Sequence, residues 1–235
     1  LHKTYQADLT QPIDLSIPLR PGKENVNAFY ISPAVFEPFR AGSFVGDVRQ
    51  GGSCNVFDIK FNPHGNGTHT ETVGHISPDA YPIRKHLTTF FFVAKIITIK
   101  PVRVESDHVI MPEQILNAIG EEWPEALIIR TLPNTDSKLN LQYSGSNPVY
   151  LDPASTELMA KHNVSHLLVD FPSVDREEDG GKLLAHKAFW TYPHAIRASC
   201  TITEMIYVKD EIADGWYLLN LQTASFENDA SPSKP

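Results

Sequence analysis

Two short apolar runs, Ala126-Leu127-Ile128-Ile129-Arg130-Thr131 and His166-Leu167-Leu168-Val169-Asp170, most constrain what this chain can fold into. They are strands of the kind buried on both faces, which need material packed above and below them. Phe91 to Lys100, β-branched and aromatic, reads as a third strand with Pro101 at its end. Thr201 to Val208 and Trp216 to Gln222 extend the set, while Ile13 to Ile17 and Asn55 to Phe61 alternate with period two. Helices are fewer. Pro112 opens and Gly120 follows a helix over Met111 to Ile119, and Asp152 is placed to cap one over Ala154 to Lys161. No fixed repeat appears, and the Pro/Gly-rich stretches are turn-sized. Residues 1–235 therefore read as a single mixed α/β domain, strand-rich with a few helices. Glu227 to Pro235 is polar and reads as a disordered tail.

Composition excludes several classes. Hydrophobic residues make up 41% and charged residues 20%, enough apolar material for a core and too little charge for a disordered chain. The formal charge is −8, without a Lys/Arg-rich block, which argues against a nucleic-acid partner. The apolar run at Phe90 to Ala94 is cut by Lys95 and is too short for a bilayer, so no membrane partner is expected. The two cysteines, Cys54 and Cys200, are weak evidence for an oxidising compartment. Cytoplasmic is the expected location, with a removed leader left open because the sequence does not begin with Met. No Gly-x-Ser-x-Gly elbow is present to support a serine hydrolase.

The chemistry concentrates in residues 64–75, which hold three of the ten histidines and Glu71. Imidazole and carboxylate together suit Zn²⁺ and harder first-row ions, and the lack of Cys argues against a structural zinc knot. On an extended strand His69, Glu71, Val73 and His75 would share one side. Gly65, Gly67 and Gly74 are available to bend it.

Gly67-Thr68-His69-Thr70-Glu71-Thr72-Val73-Gly74-His75 resembles the signature of the cyclase/bacterial kynurenine formamidase family, His-x-Gly-Thr-His-x-Asp-x-Pro-x-His. Asp14-Leu15-Ser16, the run Leu127 to Thr131, Tyr150 to Lys161, Leu168 to Asp175, and Ser231-Pro232 are similar to its other segments in the same order, which puts the tail in doubt as a disordered one. The resemblance implies a swivelling β/β/α fold, often dimeric or tetrameric. It also implies hydrolysis of small amides and related rings with one or two divalent metals, Zn²⁺ or Mn²⁺. Carried over, it makes His69 and Glu71 metal ligands and His75 the general acid/base. His186 and Glu204 complete a second metal site or position water and substrate, with His194 competing with His186.

Three positions depart from the signature. Glu71 replaces Asp, Val73 replaces Pro, and the first signature His falls on Gly65, with His64 one residue early. A regular strand would turn His64 away from His69, whereas a bulge in Gly65-Asn66-Gly67 would swing it back as a further ligand. The expected function is hydrolysis of an amide, formamide or cyclic amide. A non-catalytic metal- or small-molecule-binding protein on the same fold is the alternative. Phe29, Tyr30 and Trp190 could stack on an aromatic substrate but read better as core.

Overall fold

A computed structural model describes residues 4–235. The central feature is a seven-stranded sheet, whose strands are β1 (His69–Glu71), β2 (Phe91–Ile99), β3 (Ala126–Thr131), β4 (His166–Val169), β5 (Thr201–Glu204), β6 (Gly215–Asn220) and β7 (Ala230–Pro232). Their spatial order is β6-β2-β3-β4-β5-β1-β7. The middle four, β2 to β5, run parallel, and β6, β1 and β7 pair antiparallel at the flanks. The parallel strands are joined through α1 (Pro112–Ile119), α2 (Pro153–Lys161) and α3 (Leu184–Trp190), as parallel pairing requires a crossover.

The period of two divides the sheet residues between two cores. Ile97, Ile99, Leu127, Ile129, Leu167, Val169 and Ile202 pack with Ile115 and Ile119 of α1, Met159 of α2, and Phe189 and Trp190 of α3. Ala94, Ile96, Ala126, Ile128 and Leu168 face the other way, against Leu15, Ile83, Leu87, Ile206 and Leu219. Burial of each such Leu or Ile contributes roughly 1.5–3 kcal/mol, so a sheet covered on both faces is held mainly by its apolar sides. Between these layers Asp170 is fully enclosed, and its carboxylate accepts from Lys138 Nζ at 2.7 Å and from Thr131 N and Oγ1 at 2.8 Å each.

Some sequence expectations change. Thr201 to Val208 is strand only to Glu204, because Met205 adopts φ 54 and turns the chain out of the sheet. Ile13 to Ile17 contributes one bridge, Ser16 to Ile206, rather than a strand. Residues 227–235 are not a loose tail: β7 pairs with β1 and Ser233 N donates to Thr68 O. Trp190 is core, as expected, but Tyr30 is 74% exposed. Cys54 and Cys200 are free thiols. Among the described residues no helix is long and apolar enough to cross a membrane.

Candidate metal centre

The site begins with register. β1 lies antiparallel to β5, with Glu204 opposite His69 and Ile202 opposite Glu71. His69, Glu71 and Glu204 therefore project from one face, while Thr70 and Thr203 bond to each other (2.7 Å) on the reverse. His69 Nε2 lies 3.4 Å from Glu204 Oε2 and 4.0 Å from Glu71 Oε2.

His64 enters neither by a bulge nor along a regular strand. Asn62 caps a single helical turn, Pro63–Asn66, by accepting from His64 N, with Pro63 in its first turn. The turn carries the His64 ring to the cluster, with Nδ1 3.0 Å from Glu71 Oε2 and Nε2 3.0 Å from Asp229 Oδ2. Gly65 points to the opposite side. A Cβ there would lie 2.4 Å from Ile31 Cδ1 and 3.1 Å from Ala28 O, so a larger residue would have to displace the Ile31 side chain and crowd the Ala28 carbonyl.

His75 is also reached by a turn. β1 ends at Glu71, Thr72 caps the 3₁₀ turn Val73–His75, and Val73 goes into the core. The extended line through His75 is thus replaced by a fold-back. His75 Nδ1 comes within 3.6 Å of Glu71 Oε2 and 3.8 Å of Asp229 Oδ2, with the side chain 31% exposed.

His186 sits in the first turn of α3, two residues after Leu184. The start of this helix has no local side-chain cap. Instead Asp175 accepts from Ala185 N (2.7 Å), His186 N (3.1 Å) and His186 Nδ1 (2.6 Å). That grip leaves His186 Nε2 3.1 Å from Glu71 Oε1 and 3.8 Å from Glu204 Oε1. Glu204 Oε1 also accepts from Val174 N, tying the loop before Asp175 to β5. His194, the competing candidate, is exposed.

Three histidines repeat one arrangement. His64, His69 and His186 each turn one nitrogen toward the carboxylates and give the other to an outer acceptor: Asp229, Gly67 O (3.0 Å) and Asp175 respectively. Metal-ligating imidazoles are held this way. Fully buried His69 Nε2 has no hydrogen-bond partner, and His64, His69 and His75 all approach the equally buried Glu71 Oε2. Ligands about 2.0–2.2 Å from one ion stand roughly 3–3.6 Å apart, a range that holds the His64–Glu71, His69–Glu204 and His186–Glu71 separations. The residues present fit a divalent cation.

The electrostatics agree. Burial works against a charged His186, but the carboxylates of Asp175 and Glu71 outweigh it and push the ring up to about 10. Burial likewise disfavours a charged His64, and Asp229 and Glu71 push it up to about 10. Burial would raise Glu71, yet His75, His186 and His64 hold it well below the usual carboxylate range. Glu71, Glu204, Asp175 and Asp229 thus draw positive charge into one pocket.

All six residues expected from the sequence, His64, His69, Glu71, His75, His186 and Glu204, are brought together. Two were missed, Asp175 and Asp229. Asp175 lay in a stretch already singled out. Asp229 lay in a segment that composition presented as a tail.

A seven-stranded α/β sheet carrying a histidine–carboxylate cluster at the carboxyl ends of β4 and β5 is thereby defined. The family model described as "Putative cyclase" matches residues 7–176, and the chain belongs to this cyclase family. His186, Glu204 and Asp229 lie beyond the matched residues. No curated protein sequence matches significantly. Among solved structures, a potential metal-dependent hydrolase with cyclase activity aligns with a TM-score of 0.65 at 14% identity, covering 94% of each chain. A protein from Bacillus stearothermophilus described as a "predicted metal-dependent hydrolase" aligns with a TM-score of 0.63 at 15% identity, covering 94% of this chain and 95% of that one. An isatin hydrolase bound to the product analogue thioisatinate aligns with a TM-score of 0.64 at 13% identity, covering 94% and 89%. At such identities the likeness is one of fold.

Proposed function

We propose that this chain is a metal-dependent hydrolase acting on the C–N bond of a small amide, formamide or cyclic amide. The observation that carries the reading is the set of three histidines, each with an outer acceptor, around the buried His69 Nε2, which has no hydrogen-bond partner, and Glu71 Oε2, which His64, His69 and His75 all approach. His64, His69, Glu71, His186 and Glu204 would hold Zn²⁺ or Mn²⁺. One or two ions fit the donor set, because Glu71 offers Oε1 toward His186 and Oε2 toward His64 and His69. When bound, such an ion polarises a carbonyl and acidifies water.

The chain's own residues supply the rest. Glu71 and Glu204, anchored on adjacent strands, fix the position of the charge, and Asp175 keeps His186 from rotating away. His75 is the proton carrier: it reaches the cluster from a turn, keeps an exposed side, and is placed to protonate the leaving nitrogen. The structural likeness to an isatin hydrolase supports ring amides within the substrate range. A kynurenine formamidase-like activity is the parallel member of that range. The reading takes residues 1–235 as one domain, assembled as a homodimer or homotetramer.

Turnover of a panel of formamides and cyclic amides by His75→Ala tests this. The variant is expected to keep its metal and to lose roughly 10²- to 10⁴-fold in rate. Unchanged turnover makes His75 a bystander and removes the mechanism. Loss of metal makes it a ligand.

A further inference from the structure

We propose that Asp229, in the C-terminal segment, is a positioning residue that fixes the orientation and tautomer of His64, so that the metal centre is complete only when this segment is in place. This rests on reading the cluster as a metal centre.

His64 needs such a partner more than the other histidines do. Its ring rises from a one-turn helix, is 21% exposed, and stands one residue away from the position where the family signature carries its first histidine. A carboxylate accepts hydrogen bonds and does not donate them. With no cation between them, both ring nitrogens donate to carboxylates, Nε2 to Asp229 Oδ2 and Nδ1 to Glu71 Oε2, each at 3.0 Å. With a cation bound, Asp229 would keep the proton on Nε2 and leave Nδ1 free to serve as the ligand. Asp175 holds His186 in the same way with the two nitrogens exchanged, Nδ1 on Asp175 and Nε2 toward Glu71 Oε1.

Asp229 is itself held. Its carbonyl accepts from Thr72 N (3.1 Å) and Thr72 Oγ1 (3.3 Å), Asn228 O accepts from Ile83 N (2.8 Å), and Ala230 sits opposite Glu71 in the β7–β1 pairing. Gly74 lets the segment pass, since a Cβ there would lie 3.0 Å from Asp229 Cβ and 3.2 Å from Tyr81 O. An aspartate 165 residues from His64 in sequence is thus delivered to its ring by strand pairing rather than by local chain geometry.

Co²⁺ binding separates positioning from a purely structural tie. The parent, Asp229→Asn, His64→Ala and the double variant are titrated by calorimetry, and the visible absorption of bound Co²⁺ is recorded for each. Thermal unfolding before metal addition checks the fold, with Asp229→Ser as substitute should the Asn variant not fold. Asp229→Asn is expected to weaken Co²⁺ binding roughly 10–100-fold and to alter the spectrum. In the His64→Ala background the same change is expected to cost nothing further. Parent-like binding by Asp229→Asn or by His64→Ala overturns the proposal, as do losses that multiply in the double variant. A parent that binds no Co²⁺ is a different failure, which removes the metal reading and this proposal with it.

Discussion

His69 and Glu204 face each other across the antiparallel pairing of β1 and β5, with His69 Nε2 3.4 Å from Glu204 Oε2. Residues far apart in sequence are thereby held by backbone register at the separation of two ligands on one ion. Glu204→Gln keeps the size of the side chain and an acceptor for Val174 N, so the fold should survive. Calorimetry should show a loss of divalent-metal affinity at least as large as the roughly 10–100-fold that removal of a ligand's outer partner costs. Affinity equal to the parent's would take Glu204 out of the centre.

Gly65 and His64 make a second test. The family signature places a histidine at position 65, but a side chain there meets Ile31 and the Ala28 carbonyl. Gly65→His should therefore destabilise the fold by about 1–3 kcal/mol or more, as overpacking does. Combined with His64→Gly, it should fail to restore metal binding. Denaturant unfolding and Co²⁺ titration check both halves, and parent-like affinity in the double variant would show that position 65 does reach the site.

The core strands were legible because burial on both faces leaves its mark on every residue. Ala126–Thr131 is a strand to the residue, and Phe91–Ile99 ends one short of the expected Lys100. Helices α1 and α2 were legible from Pro112, Gly120 and Asp152. Helix α3 was not, because its start is held by Asp175, ten residues ahead of Ala185, rather than by a neighbouring cap. The histidines and carboxylate of the candidate site were visible at 64–75, but their geometry was not. Two short turns, capped by Asn62 and Thr72, replace the extended strand that period two suggested. Asp229 was illegible for a related reason: only the pairing of β7 with β1 brings it in.

Stability should depend on pH through His166. Its ring is buried against Phe92 and bonded to Thr201 Oγ1, and burial together with the Arg197 charge lowers it from 6.5 to about 4. The folded chain keeps this ring neutral while the unfolded chain protonates it below pH 6.5. Between about pH 6.5 and 4 the unfolded state thus binds more protons, and stability falls as pH falls, by about 2–4 kcal/mol from this group. His166→Gln should flatten the unfolding free energy across that window relative to the parent. Parallel pH profiles for the two proteins would show that His166 carries none of the dependence.

Metal stoichiometry tests the central claim most directly. Protein loaded with excess Mn²⁺ or Zn²⁺ at neutral pH, desalted, and assayed by elemental analysis should retain one or two ions per chain. The same treatment of His69→Ala and Glu71→Gln should leave less than the parent holds, because these fully buried side chains stand at the centre of the cluster, with His69 Nε2 lacking a hydrogen-bond partner and Glu71 Oε2 approached by three imidazoles. A parent that retains no divalent ion after loading, or variants that retain as much as the parent, would contradict the account.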